Sequence, residues 1–275
     1  MSTTTEGTRA QPKDGFKRVR FGAFEIACAS RSDLANLALT DCELPAGAPR
    51  LVFDANGHAL SLARTDPAFA DLIKSAHLIH ADGGFLVTLS RLLGLSVIPE
   101  RSATTDMLHD LASLFSSTSH GFFLLGADEG VNERCSSILE AMYPGLLISG
   151  RRNGFFAAED ESSIVDEINR SGAKILWVGL GKPKEQEFCL RWRDKLEARW
   201  VITCGGCFNY VTGDYPRAPS WMQRLNLEWV HRLVTRPRAL FYRYLITTPH
   251  SLWIALTSHA DVTPLDRSAT LHRNK

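Results

Sequence analysis

Glycines that follow two apolar runs in the second half of the chain have the residue types and spacing of a phosphate-binding site. They are Gly179 and Gly181 after the run 175–178, and Gly205 and Gly206 after the run 200–203. A buried strand that ends in glycines and continues as a helix exposes backbone N–H groups, which attract anions. The sequence therefore predicts a diphosphate site, with Gln186 as a candidate contact to a base or sugar. The nearby Lys182 and Lys184 could add positive charge to this site, although solvated lysines are the commoner case and are the expectation here.

Acidic side chains at the ends of two further apolar runs could act as a general base. Asp82 follows the run 77–81 and precedes two glycines, which would let a substrate approach the backbone closely. Asp54 follows the run 51–53, and Asn56 could hydrogen-bond sugar hydroxyls. Simpler roles are equally available, since Asp often caps a helix and Asn-Gly is common in turns. Asp82 is the favoured base and Asp54 the alternative.

Arginines concentrated after residue 216 could neutralise a departing nucleotide diphosphate. Between residues 217 and 243, Glu228 is the only carboxylate among the arginines Arg217, Arg224, Arg232, Arg236, Arg238 and Arg243. The first three of these, together with Arg101, are candidate diphosphate ligands, because guanidinium groups bind such anions through paired hydrogen bonds. The alternatives are a solvated basic helix face and, for Arg101, an ion pair with Glu100 or Asp106. Glu228 is expected to pair with one of the nearby arginines.

Short apolar runs alternate with segments of helical periodicity over most of the chain. Besides a single strand predicted for 19–26, the strand-like runs are 51–53, 77–81, 121–125, 146–148, 175–178 and 200–203. This alternation predicts a Rossmann-like α/β fold, with a mainly parallel sheet and helices on both faces. Ligands of such sheets bind beyond the carboxyl ends of the strands. Residues that follow strands should therefore converge there, namely Asp54, Asp82, Gly126, Gly179 and Gly205.

The alternation stops near residue 219, which suggests four segments. We expect a disordered N-terminus at 1–16, an α/β domain at 17–216, a helical appendage rich in arginine and aromatic residues at 217–257, and a disordered tail at 258–275. Within the appendage, segments 240–246 and 252–254 mix aromatic, aliphatic and cationic residues. Such a mixture suits the interfacial layer of a membrane, although a buried helix would also account for it.

The bulk composition gives no sign of nucleic-acid binding, since 31 Lys and Arg against 30 Asp and Glu leave a net charge of +1. The N-terminus lacks an apolar core, and no apolar run of about eighteen residues occurs, so we expect a cytoplasmic protein without a spanning helix. The six scattered cysteines are expected to be reduced. Cys204 and Cys207 have the spacing of one ligand pair of a zinc site, but no second Cys or His pair accompanies them. No metal or cofactor is therefore expected.

An ordered set of motifs along the chain resembles the WecG/TagA/CpsF glycosyltransferases, family 26. Between about residues 19 and 250 they are Asn56, Ala81-Asp82-Gly83, Glu100-Arg101, Asp106, the 179–187 loop, Gly205-Gly206, Gly213, Arg217-Ala218-Pro219 and Leu227-Glu228-Trp229. Each motif alone is weak, whereas the ordered set is specific. The resemblance implies inverting, metal-independent transfer of a hexose-type sugar from a UDP-sugar to a polyprenyl-diphosphate-linked saccharide. That reaction would serve the assembly of surface polysaccharide or wall polymers at the inner face of the cytoplasmic membrane.

The resemblance also implies roles for individual residues, with Asp82 as the base. The implied substrate-binding residues are Asp54, Asn56, Arg101, Asp106, Gly179, Gly181, Gln186, Gly205, Gly206, Arg217, Arg224 and Arg232. The chain departs from the family pattern at three single positions and in Glu185-Gln186-Glu187, which carries one acidic residue more than the common form of the family. Asp54 stands where Thr is common, while Thr104 and Asn226 stand where Gly is usual. These departures leave the donor sugar open.

Two other functions are compatible with parts of the sequence. Gly-x-Gly after a strand also occurs in NAD-dependent oxidoreductases, but Lys184 stands where their third glycine would be, and no acidic strand end follows about twenty residues later. A non-catalytic nucleotide-binding protein is the second alternative, if Asp82 only caps a helix. The acceptor saccharide, the linkage and the oligomeric state stay open, and a homo-oligomer is compatible with the sequence.

Overall fold

The computed structural model describes residues 14–45, 47–219, 221–222, 228–235 and 237–262. The strands are β1 (Arg18–Phe21), β2 (Phe24–Ala27), β3 (Arg50–Ala55), β4 (Leu78–Ala81), β5 (Phe122–Gly126), β6 (Ile148–Arg152), β7 (Ile175–Gly179), β8 (Trp200–Thr203) and β9 (His259–Val262). The helices are α1 (Arg31–Glu43), α2 (Gly57–Thr65), α3 (Pro67–Lys74), α4 (Gly84–Leu92), α5 (Thr104–Phe115), α6 (Glu129–Met142), α7 (Glu161–Arg170), α8 (Lys184–Trp192), α9 (Cys207–Val211), α10 (Glu228–Thr235) and α11 (Pro237–Thr257).

A six-stranded parallel sheet forms the centre of the molecule, in the order β4-β3-β8-β7-β5-β6. Both of its faces are buried, because neighbouring residues of one strand pack into different cores. In β7, Leu176 and Val178 belong to one hydrophobic core, and Ile175 and Trp177 belong to the other. Apolar strands covered by helices on both faces are typical of doubly wound α/β proteins. The predicted Rossmann-like fold is confirmed.

A second, three-stranded antiparallel sheet corrects two expectations. The single strand predicted for 19–26 is a hairpin of β1 and β2, which turns at Gly22, where φ is +57°. A positive φ favours glycine, and the periodicity of the apolar residues does not register such a turn. β9 pairs with the other edge of β1, so residues 259–262 of the segment expected to be disordered form a strand. Residues 1–13 and 263–275 lie outside the described residues.

The end of α11 belongs to the same core as the large sheet. Ile254 and Ala255 are buried with residues of β3 and β4, and Ser61 of α2 hydrogen-bonds His250 at 2.8 Å. The helical structure expected within the segment 217–257 is present in α10 and α11, whereas residues 217–219 are not helical. The last turns of α11 are packed onto the α/β unit, so they contribute to the core that holds the carboxyl ends of the strands in place.

Candidate functional site

The carboxyl ends of four neighbouring strands, β4, β3, β8 and β7, meet at a polar cleft of about 440 Å³. Predicted residues in its wall are Asp54, Asn56, Asp82, Arg101, Gly181, Gly205, Gly206 and Arg217. The volume suits a small ligand, and the position is the one at which parallel sheets bind ligands. Gly126, at the end of β5, is not part of this wall. The structure thus brings most of the predicted strand-end residues together.

Asp82 follows β4 and does not cap the next helix. The N-cap of α4 is Gly83, which has no side-chain cap hydrogen bond. Instead, Asp82 Oδ2 lies 3.4 Å from Nδ2 of Asn56, and Asp82 Oδ1 lies 3.5 Å from Nη2 of Arg101. The Asp82 side chain is 19% exposed and lines the cleft. The helix-cap interpretation of Asp82 is therefore wrong, and its carboxylate lies between an amide and a guanidinium group.

Asn56 connects a helix terminus with two carboxylates. Its Oδ1 accepts a hydrogen bond of 3.0 Å from the Ala59 N–H, so Asn56 is the N-cap of α2. Because Oδ1 is used in this way, the Nδ2 group faces Asp54 Oδ2 at 2.6 Å and Asp82 Oδ2. One side chain thereby caps α2 and lines the cleft, so the local role and the site role of Asn56 coexist.

Lys182 lies inside the cleft, and the expectation that it would be solvated is wrong. Its Nζ is 2.6 Å from Asp54 Oδ1 and 3.6 Å from Glu185 Oε1, and the side chains of Lys182 and Asp54 are only 11% and 5% exposed. Burial alone would lower the pKa of Lys182, but the charges of Asp54 and Glu185 outweigh it and raise the pKa to about 12. The ammonium group therefore stays charged.

Glu185 joins the two glycine segments. Its side chain is fully buried, and Oε2 accepts hydrogen bonds of 3.0 Å from the N–H groups of both Gly181 and Gly205. Burial raises the pKa of Glu185, while Lys182 and these two N–H groups act in the opposite direction. The two N–H groups assigned to a phosphate from the sequence thus bind a carboxylate of the protein. This part of the phosphate prediction is wrong, and the glycines shape the wall instead.

Arg101 connects Asp82 to the C-terminal region. Its Nε donates to the carbonyl oxygen of Asp82 at 2.7 Å, and Nη1 donates to Glu228 Oε2 at 2.6 Å. The side chains of Arg101 and Glu228 are 16% and 7% exposed. Arg101 therefore connects the end of β4 to the start of α10. The sequence predicted neither contact, since it offered a diphosphate ligand or an ion pair with Glu100 or Asp106 as the roles of Arg101. Arg101 is thus one partner of Glu228. Pairing of Glu228 with a nearby arginine of the C-terminal segment stays a prediction, because Arg224 and the side chain of Arg232 lie outside the described residues.

Arg217 places a further guanidinium group in the cleft wall. Its Nη1 donates to Asp106 Oδ1, and Asp106 Oδ2 is also 3.5 Å from Nη1 of Arg31. Asp106 does not line the cleft, so it orients Arg217 instead of contacting a ligand there. Arg224 lies outside the described residues. The backbone of Arg232 is part of α10, and its side chain lies outside the described residues.

Gly179 and Gln186, also predicted to bind substrate, do not line the cleft. Gln186 is fully buried, and its Nε2 is 3.3 Å from Glu185 Oε1. Gly179 packs against the next strand end, where a Cβ atom would lie 2.8 Å from the Gly205 carbonyl oxygen. Sequence reasoning assigned no role to Glu185, nor to His58, Thr105, Tyr210 and Tyr215, which line the same cleft. The available signal for Glu185 was its position in the first turn of the helix that follows β7, at the edge where acidic strand ends collect.

Cys204 and Cys207 also line the cleft, as free thiols. Burial raises the pKa of Cys207 to about 12, which keeps its thiol protonated at neutral pH. Among the residues described, no group of three or more His, Cys, Asp or Glu side chains is arranged to hold a metal ion. Within the same residues, no helix combines the length and the apolar composition needed to cross a membrane.

Comparison with known proteins identifies one family over most of the chain. The model of the family described as Glycosyl transferase WecG/TagA/CpsF family matches residues 19–263. That span contains the whole described part of the cleft wall. The ordered motifs of the sequence and the family model therefore agree.

Similar proteins from Bacillus and Staphylococcus share one name, N-acetylglucosaminyldiphosphoundecaprenol N-acetyl-beta-D-mannosaminyltransferase. The protein of Bacillus subtilis (strain 168) is 31% identical over 172 residues, which cover 62% of this chain and 66% of that protein. The protein of Bacillus spizizenii is 28% identical, with 68% of this chain and 71% of that protein covered. The protein of Staphylococcus aureus (strain MRSA252) is 28% identical, with coverages of 66% and 70%. The chain thus spans about two thirds of the length of these relatives.

Proposed function

The chain belongs to the WecG/TagA/CpsF family of glycosyltransferases, and we propose that it moves a hexose-type sugar from a UDP-sugar to a saccharide carried on polyprenyl diphosphate. The names of the relatives support this substrate class, since they specify an N-acetylmannosaminyl group and an acceptor linked to undecaprenyl diphosphate. The transfer is inverting and needs no metal ion, and it serves the assembly of a surface polysaccharide. Its donor sugar belongs to the N-acetylhexosamine class.

The observation that carries the proposal is the Asp82 carboxylate, exposed to the cleft and not used as a helix cap. In the proposed reaction, Asp82 accepts the proton of the acceptor hydroxyl while that oxygen attacks the anomeric carbon. The bond between the anomeric carbon and the diphosphate oxygen breaks on the opposite face, so the configuration inverts. UDP leaves with the bonding electron pair, and its oxygen gains negative charge.

Arginine side chains of the C-terminal region offset the charge of the departing UDP. Arg217 is already oriented in the cleft wall by Asp106. Arg224 and Arg232 remain predictions for the same role. Guanidinium groups suit it, because they stay charged at all physiological pH values and hold phosphate oxygens through paired hydrogen bonds. Fixed donors aimed at a charge that develops in the transition state are among the largest contributions to catalysis.

The outer face of α11 supports a peripheral position on the inner face of the cytoplasmic membrane, where a polyprenyl-linked acceptor would reside. Its exposed apolar residues are Leu245 (59%), Ile246 (63%), Leu252 (42%), Trp253 (52%) and Leu256 (45%). Leu245 and Leu252 are seven residues apart, as are Ile246 and Trp253, and a separation of two helical turns puts these residues on one side of the helix. Ile254 and Ala255 are buried on the other side. Such a helix can lie in the membrane interface.

Release of UDP from UDP-N-acetylmannosamine in the presence of N-acetylglucosaminyl-diphosphoundecaprenol tests the proposal. The wild-type protein should release UDP only when both substrates are present. Asp82→Asn keeps the size of the side chain and removes the base, so kcat should fall about 100- to 10,000-fold while UDP still raises the melting temperature. Asp71→Asn, at a site with a side chain that is 74% exposed, is the matched control and should keep full activity.

Other outcomes would identify the alternatives. Wild-type rates in the Asp82→Asn variant would remove the base assignment. Thermal stabilisation by UDP without transfer from any UDP-sugar of a panel would indicate a nucleotide-binding protein without this activity. An increase of NADH fluorescence on mixing, without an effect of UDP, would favour an oxidoreductase.

A further inference from the structure

We propose that Lys182 and Asp54 are positioning residues, which hold Asn56 and, through it, keep the base Asp82 ionised and aimed into the cleft. The inference rests on the proposed function, because it takes Asp82 as the base. It adds a relay, by which we mean a chain of four side chains in polar contact, Lys182–Asp54–Asn56–Asp82, that ends at the proposed base. Neither the motifs nor the relatives assign a role to Lys182.

The contacts of the relay are continuous. Lys182 Nζ lies 2.6 Å from Asp54 Oδ1, and Asp54 Oδ2 lies 2.6 Å from Asn56 Nδ2. The last contact, from Asn56 Nδ2 to Asp82 Oδ2, is longer at 3.4 Å. Charged hydrogen bonds as short as the first two fix orientation strongly. The contact with Asp82 is therefore the longest of the three contacts of the relay.

The orientation of the Asn56 amide is decided by α2. Its oxygen accepts a hydrogen bond from the Ala59 N–H. The NH2 group therefore faces the two carboxylates, with one hydrogen atom toward each. A flipped amide would present its oxygen to both carboxylates and its NH2 group to an N–H donor. The relay is thus anchored at one end by the ion pair in the cleft and at its centre by a helix terminus.

The charges explain why a cation is needed at this point. Asp54 and Asp82 share one amide group, so their negative charges lie close together and repel each other. Lys182, held in its charged form, offsets the charge of Asp54, so Asp82 can stay ionised. Other titratable or charged side chains that face this group are Arg101, Glu185, His58, His80, Cys204, Cys207, Arg217 and Glu228. Of these, His80 is neutral because burial lowers its pKa.

The test is the pH dependence of kcat/KM for UDP release from UDP-N-acetylmannosamine with the lipid-linked acceptor, measured from about pH 5 to about pH 9. Lys182→Met should move the acidic limb about one pH unit upward, because the carboxylate pair then binds a proton more readily. Transfer at a pH on that limb should fall about tenfold, with a much smaller change on the plateau. Lys184→Met, an equal change of charge at an exposed lysine two residues away, should leave the profile unchanged.

Two further variants separate charge from structure. Asp54→Asn removes the neighbouring negative charge and leaves the ammonium, so the acidic limb should move downward. The double variant Asp54→Asn with Lys182→Met removes both charges and should return the limb close to its wild-type position. It also removes the unpaired charge that Lys182→Met leaves on Asp54, while Glu185 keeps its hydrogen bonds from the N–H groups of Gly181 and Gly205. The double variant therefore remains testable if Lys182→Met alone folds poorly.

Several results would overturn the relay. An equal loss in Lys182→Met at every pH, together with a raised KM for the UDP-sugar, would mean that Lys182 contacts the donor. If the acidic limb of the double variant lies at the same pH as that of Lys182→Met, Asp54 does not connect Lys182 to Asp82. If Asp82→Asn transfers sugar normally, Asp82 is not the base and the relay is refuted together with the proposed function. If Asp82→Asn is inactive but the pH profile of Lys182→Met is not shifted, only the relay is refuted.

Discussion

The contact between Arg101 and Glu228 should couple the C-terminal region to the position of Asp82. Glu228→Gln is the sharpest perturbation, because it keeps the shape of the side chain and one acceptor oxygen but removes the charge. In the structure, Glu228 Oε2 is 2.6 Å from Arg101 Nη1, and the Glu228 side chain is 7% exposed. The same guanidinium group donates to the carbonyl oxygen of Asp82. Loss of the charge should therefore loosen both ends of this connection.

The magnitude follows from the burial of the pair. A hydrogen bond to a charged group contributes about 1.5–3 kcal/mol, and loss of one partner of a fully buried pair costs about 3–5 kcal/mol. Arg101 retains 16% exposure, so water can partly replace the lost charge, and we expect about 2 kcal/mol. For a chain of this size that corresponds to a fall in melting temperature of about 4–8 °C. The kcat for sugar transfer should fall about tenfold, because Asp82 loses a fixed neighbour.

The assay is differential scanning calorimetry together with the UDP-release measurement. Glu25→Gln is the matched control, since Glu25 Oε1 lies 2.8 Å from Arg20 Nη2 but the two side chains are 28% and 48% exposed. An exposed pair contributes at most about 1 kcal/mol, so its melting temperature should change little. Equal effects of the two substitutions would refute the coupling. So would a large loss of stability in Glu228→Gln with kcat unchanged, since the contact would then only stabilise the fold.

Two further predictions concern the proposed charge neutralisation and the membrane contact. Arg217→Ala should lower kcat/KM for the UDP-sugar about 100-fold in steady-state kinetics, and Arg217→Lys should recover part of this loss. Arg134→Ala, at an exposed ion pair with Asp214, is the control and should have no effect. Equal losses at both sites would contradict the role of Arg217. Trp253→Glu should lower binding to vesicles with anionic lipids at least about tenfold without changing the melting temperature, because the side chain is 52% exposed. Met142→Glu, at a 54% exposed apolar residue on α6, is the control in vesicle sedimentation, and unchanged sedimentation of Trp253→Glu would remove α11 from the membrane contact.

The linear sequence was sufficient for the α/β architecture and for the edge at which the site lies. Strands buried on both faces read as continuous apolar runs, and the residue after each run is placed at the carboxyl edge whatever the order of the strands. Asp54, Asp82, Gly181 and Gly205 were therefore found by local reasoning alone. The family was found by the order of its motifs and is confirmed by the match over residues 19–263.

Local patterns were insufficient wherever a residue has two plausible partners. Asn56 is typical of a turn or cap and also faces the cleft, and Glu185, to which the sequence assigned no role, is fully buried. Its carboxylate occupies the N–H groups of two glycine segments that belong to different strands, β7 and β8. No periodicity contains that information, because the competition between a phosphate and a protein carboxylate depends on what else reaches the same N–H groups.

Tertiary structure alone decided which charges meet. Lys182 and Asp54 are 128 positions apart, and Arg101 and Glu228 are 127 positions apart. β3 lies next to β8, and β8 lies next to β7, so the loop after β7 comes within reach of the end of β3. The order of strands in a parallel sheet is a global property of packing, whereas side-chain periodicity reports only which face of an element is buried. The sequence by itself therefore determined the chemical groups at the edge of the sheet, and the packing of the strands determined which of them form pairs.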